Sequence, residues 1–115
     1  MSITFYDKST CGTCKKAKAF LDNRAVSFNI VDIITQPPSR ELLEDTMDEE
    51  NVMDFLNPRN AIYRERKLGQ NTPTKAEAIN LMFEDPNLIK RPVIVKDKAV
   101  TFGFDPDNLE HNIVS

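Results

Sequence analysis

The chain has 115 residues, with 15 lysines and arginines against 18 aspartates and glutamates, for a net charge of −3. Hydrophobic residues make up 40%, enough for one core and one domain, which excludes a disordered chain. The acidic balance excludes wholesale binding to a nucleic-acid backbone, and no apolar run reaches membrane-spanning length. Met1-Ser2-Ile3-Thr4 lacks the charged stretch and apolar core of a signal peptide, so a cytoplasmic location is expected. In that reducing compartment a pair of thiols is usually catalytic or sensing.

Ile3-Thr4-Phe5-Tyr6 alternates apolar and polar residues and predicts a first strand. Asp7-Lys8-Ser9-Thr10 reads as the loop after it. Cys11-Gly12-Thr13-Cys14 follows, holding both cysteines of the chain at i and i+3. A helix is predicted from there, with Cys14, Ala17, Phe20 and Leu21 on one side and Lys15, Lys16, Lys18 and Asp22 largely on the other, ending at Asn23. A Cys-x-x-Cys closing a strand-to-helix turn is the context of a redox motif. A helix start aims its free N–H groups and positive dipole end at Cys11, which favours the reactive thiolate. Cys14, one turn along on the same face, is placed to attack a mixed disulfide formed at Cys11.

Other readings of the pair are weaker. Free cysteines can be small core residues. A zinc site needs four ligands as a rule, and His111 is the only further candidate of that type, so no metal is expected. A structural i,i+3 disulfide would close too short a loop to stabilise much.

Val26, Phe28 and Ile30 alternate with Ser27 and Asn29, predicting a second strand over 26–30, parallel to the first. After Gln36-Pro37-Pro38, Ser39 is a cap for a helix carrying Leu42, Leu43 and Met47. Val52 to Leu56 predicts a short helix that stops near Asn57-Pro58. Thr74-Lys75-Ala76-Glu77 has capping-box form, with Ala76, Ile79, Met82 and Phe83 as the apolar face of its helix. Pro92–Val95, a turn at Lys96-Asp97-Lys98, and Ala99–Phe102 predict a hairpin. Asp105-Pro106 starts a last helix through Leu109. The order β-α-β, helices, β-β-α is a thioredoxin-type arrangement with a helical insertion over about 35–89. The expected fold is therefore α/β, a mixed four-stranded sheet, with residues 1–115 as a single domain.

Two basic places could serve the cysteine. The segment Pro58 to Lys67 carries Arg59, Arg64 and Arg66, and Arg91 stands before Pro92. Arginine presents a planar fork of donors to carboxylates and oxyanions, and near Cys11 it would also favour the thiolate. The competing reading of the first group is a solvated helix face. For the Arg91–Pro92 bond, sequence alone favours trans.

Cys11 to Ala17, Asn57-Pro58-Arg59 with Tyr63-Arg64-Glu65, Leu88 to Val95, and Gly103-Phe104 together resemble the arsenate reductase family of the thioredoxin superfamily, including its YffB-like and Spx-like branches. The similarity runs from Ile3 to about Leu109. It implies a thioredoxin-like (glutaredoxin-type) fold, Cys11 as nucleophile, and a cis bond before Pro92 facing that cysteine. It implies oxyanion or substrate contacts from Arg91, and from Arg59 with Arg64 as the register alternative. Thr10 and Pro92 complete the expected binding surface. Cys14-Lys15 stands where glutathione-coupled arsenate reductases carry Ser-Arg, and Phe102-Gly103-Phe104 lacks their third arginine. Asn51 aligns with a glycine of Spx-like regulators that matters for their polymerase contact.

Three functions follow from the resemblance. The first is a thiol–disulfide oxidoreductase with no bound cofactor and with glutathione or a thioredoxin-type donor as co-substrate. The second is an arsenate reductase. The third is an Spx-like redox regulator that contacts RNA polymerase. The partners expected are a small thiol, an oxyanion or a protein thiol, with no direct nucleic-acid or membrane contact.

Overall fold

The computed structural model describes residues 2–114. The chain divides into two compact units: one holds the residues up to Ile33 and from Arg91 on, and the other is Ile34–Lys90.

The first unit contains a mixed four-stranded sheet in the order β2-β1-β3-β4. Its strands are β1 (Ile3–Asp7), β2 (Asn29–Asp32), β3 (Val93–Lys96) and β4 (Ala99–Phe102). β1 runs parallel to β2 and antiparallel to β3, and β3–β4 is the expected hairpin. Helix α1 (Gly12–Asp22) connects β1 to β2. Helix α5 (Pro106–Leu109) starts on an Asp105 cap with Pro106 in its first turn, and a π-helical turn, Glu110–Val114, continues it. Ile3 and Phe5 of β1 pack with Cys14, Ala17 and Leu21 of α1, Ile94 of β3, and Leu109 and Ile113. The i, i+3, i+7 spacing of Cys14, Ala17 and Leu21 puts one face of α1 on the sheet.

Two sequence expectations shift here. The second strand lies at 29–32 rather than 26–30. Ala25 has φ 56°, and Val26 donates its N–H to the Leu21 carbonyl at 3.1 Å, so the chain is still leaving α1 at that point. Val26 and Phe28 pack on the core from this connection, with the Phe28 ring 5.2 Å from Phe5. Ile30 of β2, which pairs with Phe5, is left 57% exposed, so only Val26 and Phe28 of that alternation fill the core, and they do so ahead of the strand. The other shift is at Asp7, which ends β1 instead of belonging to the loop.

The second unit carries α2 (Arg40–Thr46), a 3-10 turn (Val52–Phe55), α3 (Ala61–Glu65), α4 (Lys75–Glu84) and a 3-10 turn (Pro86–Leu88). Ser39 caps α2, accepting from Leu42 N–H at 3.1 Å. Asn57 and Asn60 hold the turn before α3 against the 85–87 turn: Asn57 Nδ2 donates to the Asn87 carbonyl at 3.1 Å, and Asn60 Nδ2 to Asp85 Oδ2 at 3.1 Å. On α4 the buried residues are Ala78, Ile79, Leu81 and Met82. Ala76, expected on that face, is exposed, and Phe83 is 39% exposed. The apolar side is therefore rotated from the one the pattern suggested.

The α4 capping box is complete. Glu77 N–H donates to Thr74 Oγ1 at 3.2 Å, and Thr74 N–H to Glu77 Oε1 at 3.0 Å. Hydrogen bonds from the Thr74 backbone N–H and, less, its side chain hold the exposed Glu77 carboxyl below the usual carboxylate range. Thr74→Ala removes one of the two bonds and is expected to cost about 1 kcal/mol in urea denaturation.

Candidate functional site

β1 and α1 are joined by a short loop, and the cysteine pair sits where α1 begins. Cys11 is the N-cap of α1, with φ −86° and ψ 116°. Its N–H donates to the Lys8 carbonyl at 2.9 Å, which turns the chain into the helix. Its sulfur accepts the Cys14 N–H at 3.2 Å. The sulfur thus takes the place that a serine or aspartate oxygen fills at most helix starts. Cys11 is half-buried, whereas Cys14 is fully buried, and neither is in a disulfide. A Cβ at Gly12 would meet nothing within 4 Å, so the backbone beside Cys11 opens on free space.

The register of the sheet brings a second segment to this place. Tyr6 pairs with Val93 across β1–β3, so one further step sets Asp7 toward Pro92. The Arg91–Pro92 bond is cis, as the family resemblance implied and the residue-level expectation did not. Pro92 is buried, and its carbonyl accepts the Gly103 N–H at 2.9 Å. Gly103 has φ 79°, a conformation that favours glycine. Arg91 is half-buried, and its side chain hydrogen-bonds to the Cys11 sulfur.

These contacts separate the two thiols electrostatically. Burial pushes the Cys11 thiol up. The hydrogen bonds from the Cys14 side chain and backbone, and the Arg91 guanidinium with its charge, more than offset that, so its pKa lies below the ordinary value. Cys14 is pushed up to about 12, first by burial, then by holding its proton on Cys11, with the Cys11 and Asp7 charges adding to the shift. These contacts favour the thiolate at Cys11 and the protonated thiol at Cys14.

Thr10 is exposed in the loop before Cys11. Arg59 belongs to the other unit, Ile34–Lys90, where it is exposed and donates its N–H to Asn57 Oδ1 at 3.1 Å. Arg64 and Arg66 are also exposed there. Among the described residues no group of three or more His, Cys, Asp or Glu could hold a metal ion. No helix is long and apolar enough to cross a membrane.

The ArsC family model matches residues 6–112. The chain belongs to the ArsC family. It is 38% identical to the uncharacterized protein YusI of Bacillus subtilis, over 97% of this chain and 98% of that protein. It is 31% identical to the global transcriptional regulator Spx of Streptococcus mutans, over 93% of this chain and 80% of that one. Among solved structures, a possible arsenate reductase from Streptococcus mutans superposes with a TM-score of 0.77 at 33% identity, covering 89% of this chain and 90% of that one.

Two residues of this ArsC-family chain escaped the sequence reading. Asp7 is only 7% exposed, and its Oδ2 accepts from Lys18 Nζ at 2.8 Å. Lys18, expected on the solvent side of α1, is half-buried, with Nζ 5.8 Å from the Phe5 ring centre. The signal was present in the strand period: Ile3, Phe5 and Asp7 share one face, and that face is the core.

Proposed function

We propose that this protein is a thiol–disulfide oxidoreductase of the cytoplasm. Cys11 thiolate attacks an oxidised sulfur, such as a glutathione mixed disulfide or a protein disulfide. Cys14 then attacks Cys11 and releases the reduced product. A Cys11–Cys14 disulfide remains, and glutathione or a thioredoxin-type donor returns it to the dithiol. The observation that carries this reading is the Cys11 sulfur at the start of α1, accepting from Cys14 N–H at 3.2 Å with the Arg91 side chain beside it. Exchange rates rise with the thiolate fraction of the attacking sulfur and with a low pKa of the sulfur it leaves, and this environment favours both at Cys11.

The test is the rate of iodoacetamide alkylation against pH. Cys11 is expected to titrate below the free-thiol value of about 8.5, and Arg91→Met should move the midpoint upward. A midpoint at the free-thiol value would remove the main support. Arsenate-dependent NADPH consumption in a coupled glutathione–glutaredoxin or thioredoxin assay reports whether Cys11 also takes arsenate, with Arg91 as its anion partner.

The 31% identity to an Spx regulator favours a second reading, a redox switch in which the state of Cys11 and Cys14 biases docking on RNA polymerase. Pull-down with the polymerase α subunit, oxidised against reduced, separates the two. Capture in one redox state only, without steady disulfide turnover, selects the switch.

A further inference from the structure

Arg91 reaches Cys11 from a segment that is itself held at one remove. Arg91 precedes Pro92, and the Pro92 carbonyl accepts the Gly103 N–H at 2.9 Å. Gly103 follows β4 directly, and its φ of 79° turns the chain out of the strand. Phe104 comes next and lies on α1, where its ring meets that of Phe20 edge to face, with centroids 5.8 Å apart. Both rings are partly buried against the core cluster that contains Cys14 and Leu109. Phe20 is itself clamped. The Arg24 guanidinium carbon lies 3.5 Å from its ring centre, and Arg24 Nη1 donates to the Phe20 carbonyl at 3.3 Å. Arg24 Nε donates to Glu110 Oε1 at 2.5 Å, which ties the clamp to the turn after α5. A path of direct contacts thus runs from the last turn of α1 through Phe104, Gly103 and Pro92 to Arg91. The same helix carries Cys11 at its start.

We propose that Phe104 is a positioning residue for the exchange reaction: packed on Phe20, it keeps the Gly103 N–H on the Pro92 carbonyl and so holds the Arg91 side chain on the Cys11 sulfur. This rests on the reading of Cys11 as nucleophile. A hydrogen bond loses its strength when it is stretched or bent, so Arg91 serves the sulfur only while its backbone stands within reach. Sheet pairing fixes Val93 between Tyr6 and Phe102, but Arg91 and Pro92 come before that strand. The Gly103 N–H holds Pro92, and the aromatic pair holds the residue after Gly103. Phe104 also stands one residue before the Asp105 cap, with Leu109 at the fourth helical position, which is the placing of a hydrophobic staple on α5. A staple alone would lower the unfolding midpoint of the protein and leave the titration of Cys11 where it is. The two roles therefore separate in what they move.

The test is the rate of iodoacetamide alkylation of the reduced protein against pH, with urea denaturation run on each variant. Phe104→Ala is expected to raise the Cys11 midpoint, in the direction of Arg91→Met. At a pH below every midpoint it should slow alkylation roughly 2- to 5-fold, the loss of thiolate being partly offset by a more nucleophilic sulfur. Phe104→Tyr keeps the ring edge on Phe20 and should restore the wild-type profile. In an Arg91→Met background Phe104→Ala should change the rate by less than about 1.5-fold, because residues that act through one another do not add. Phe104→Leu keeps an apolar contact for α5 but loses the ring edge, and should raise the midpoint in the same direction. An unmoved midpoint in Phe104→Ala, or in Phe104→Leu where Phe104→Ala does not fold, overturns the proposal and leaves Phe104 as a staple. A full further slowing in the Arg91→Met background overturns it as well, since Phe104 would then act on Cys11 by another route. A wild-type midpoint at the free-thiol value of about 8.5 overturns the reading of Cys11 itself, whatever the variants do.

Discussion

Cys11→Ser should bring disulfide reduction down to the protein-free blank while leaving the fold intact. The two halves of that expectation come from the same atom. As an N-cap, the residue needs only a side-chain acceptor for the Cys14 N–H, now met at 3.2 Å by sulfur. Serine is among the best residues for that task, so stability should hold within about 0.5 kcal/mol in urea denaturation. As a nucleophile, sulfur has no substitute there. A free thiol is only roughly 3% ionised at pH 7, and the Cys14 and Arg91 contacts raise that fraction, whereas a serine hydroxyl stays protonated. Cys14→Ala provides the complementary result. Cys11 should still attack glutathione disulfide, but the adduct should persist and be seen by mass spectrometry as one added glutathionyl group. Turnover by Cys11→Ser above the blank would move the chemistry elsewhere in the chain.

What the sequence discloses here is uneven, and the reasons are physical. Caps are local, so Ser39, Thr74 and Asp105 could be read as helix starts from a few residues each, and all three accept the backbone hydrogen bonds expected of them. The cysteine turn is likewise local, and its strand-turn-helix context is observed. Register is not local. Val26 and Phe28 have the alternation of a strand yet reach the core from a connection, because α1 does not release the chain until after Ala25. Lys18 looked solvated because its partner, Asp7, lies 11 residues away in a segment read as loop. Residue chemistry offered Arg91 as one of several arginines that could serve Cys11, and only the resemblance singled it out, since the link spans 80 residues and depends on β1 and β3 pairing.

The pairing of a lowered thiol with a raised one also has a consequence for stability at high pH. Cys14 is fully buried and pushed up to about 12, while in the unfolded chain it ionises at its ordinary value near 9. Below about pH 9 both states hold the proton, and whatever stability comes from the protonated, buried thiol is fully present. Above that the unfolded chain gives up its proton and the folded chain does not, so stability falls as pH rises, until the folded thiol ionises near 12. Cys11 works with the opposite sign. Its lowered pKa contributes stability at high pH, which is lost as pH falls through the folded value, so it does not offset the alkaline loss. The other ionisable groups of the chain are common to wild type and Cys14→Ala. The difference between the two in urea denaturation midpoints, followed from about pH 8 to about pH 11 under reducing conditions, therefore isolates the thiol. Wild type should lose stability relative to Cys14→Ala across that range. The loss should shrink in a Cys11→Ser background, because part of the Cys14 shift comes from the Cys11 sulfur and its charge. A difference that stays flat with pH would mean that Cys14 ionises like a free thiol, and the hydrogen bond it gives to Cys11 would then have no energetic weight.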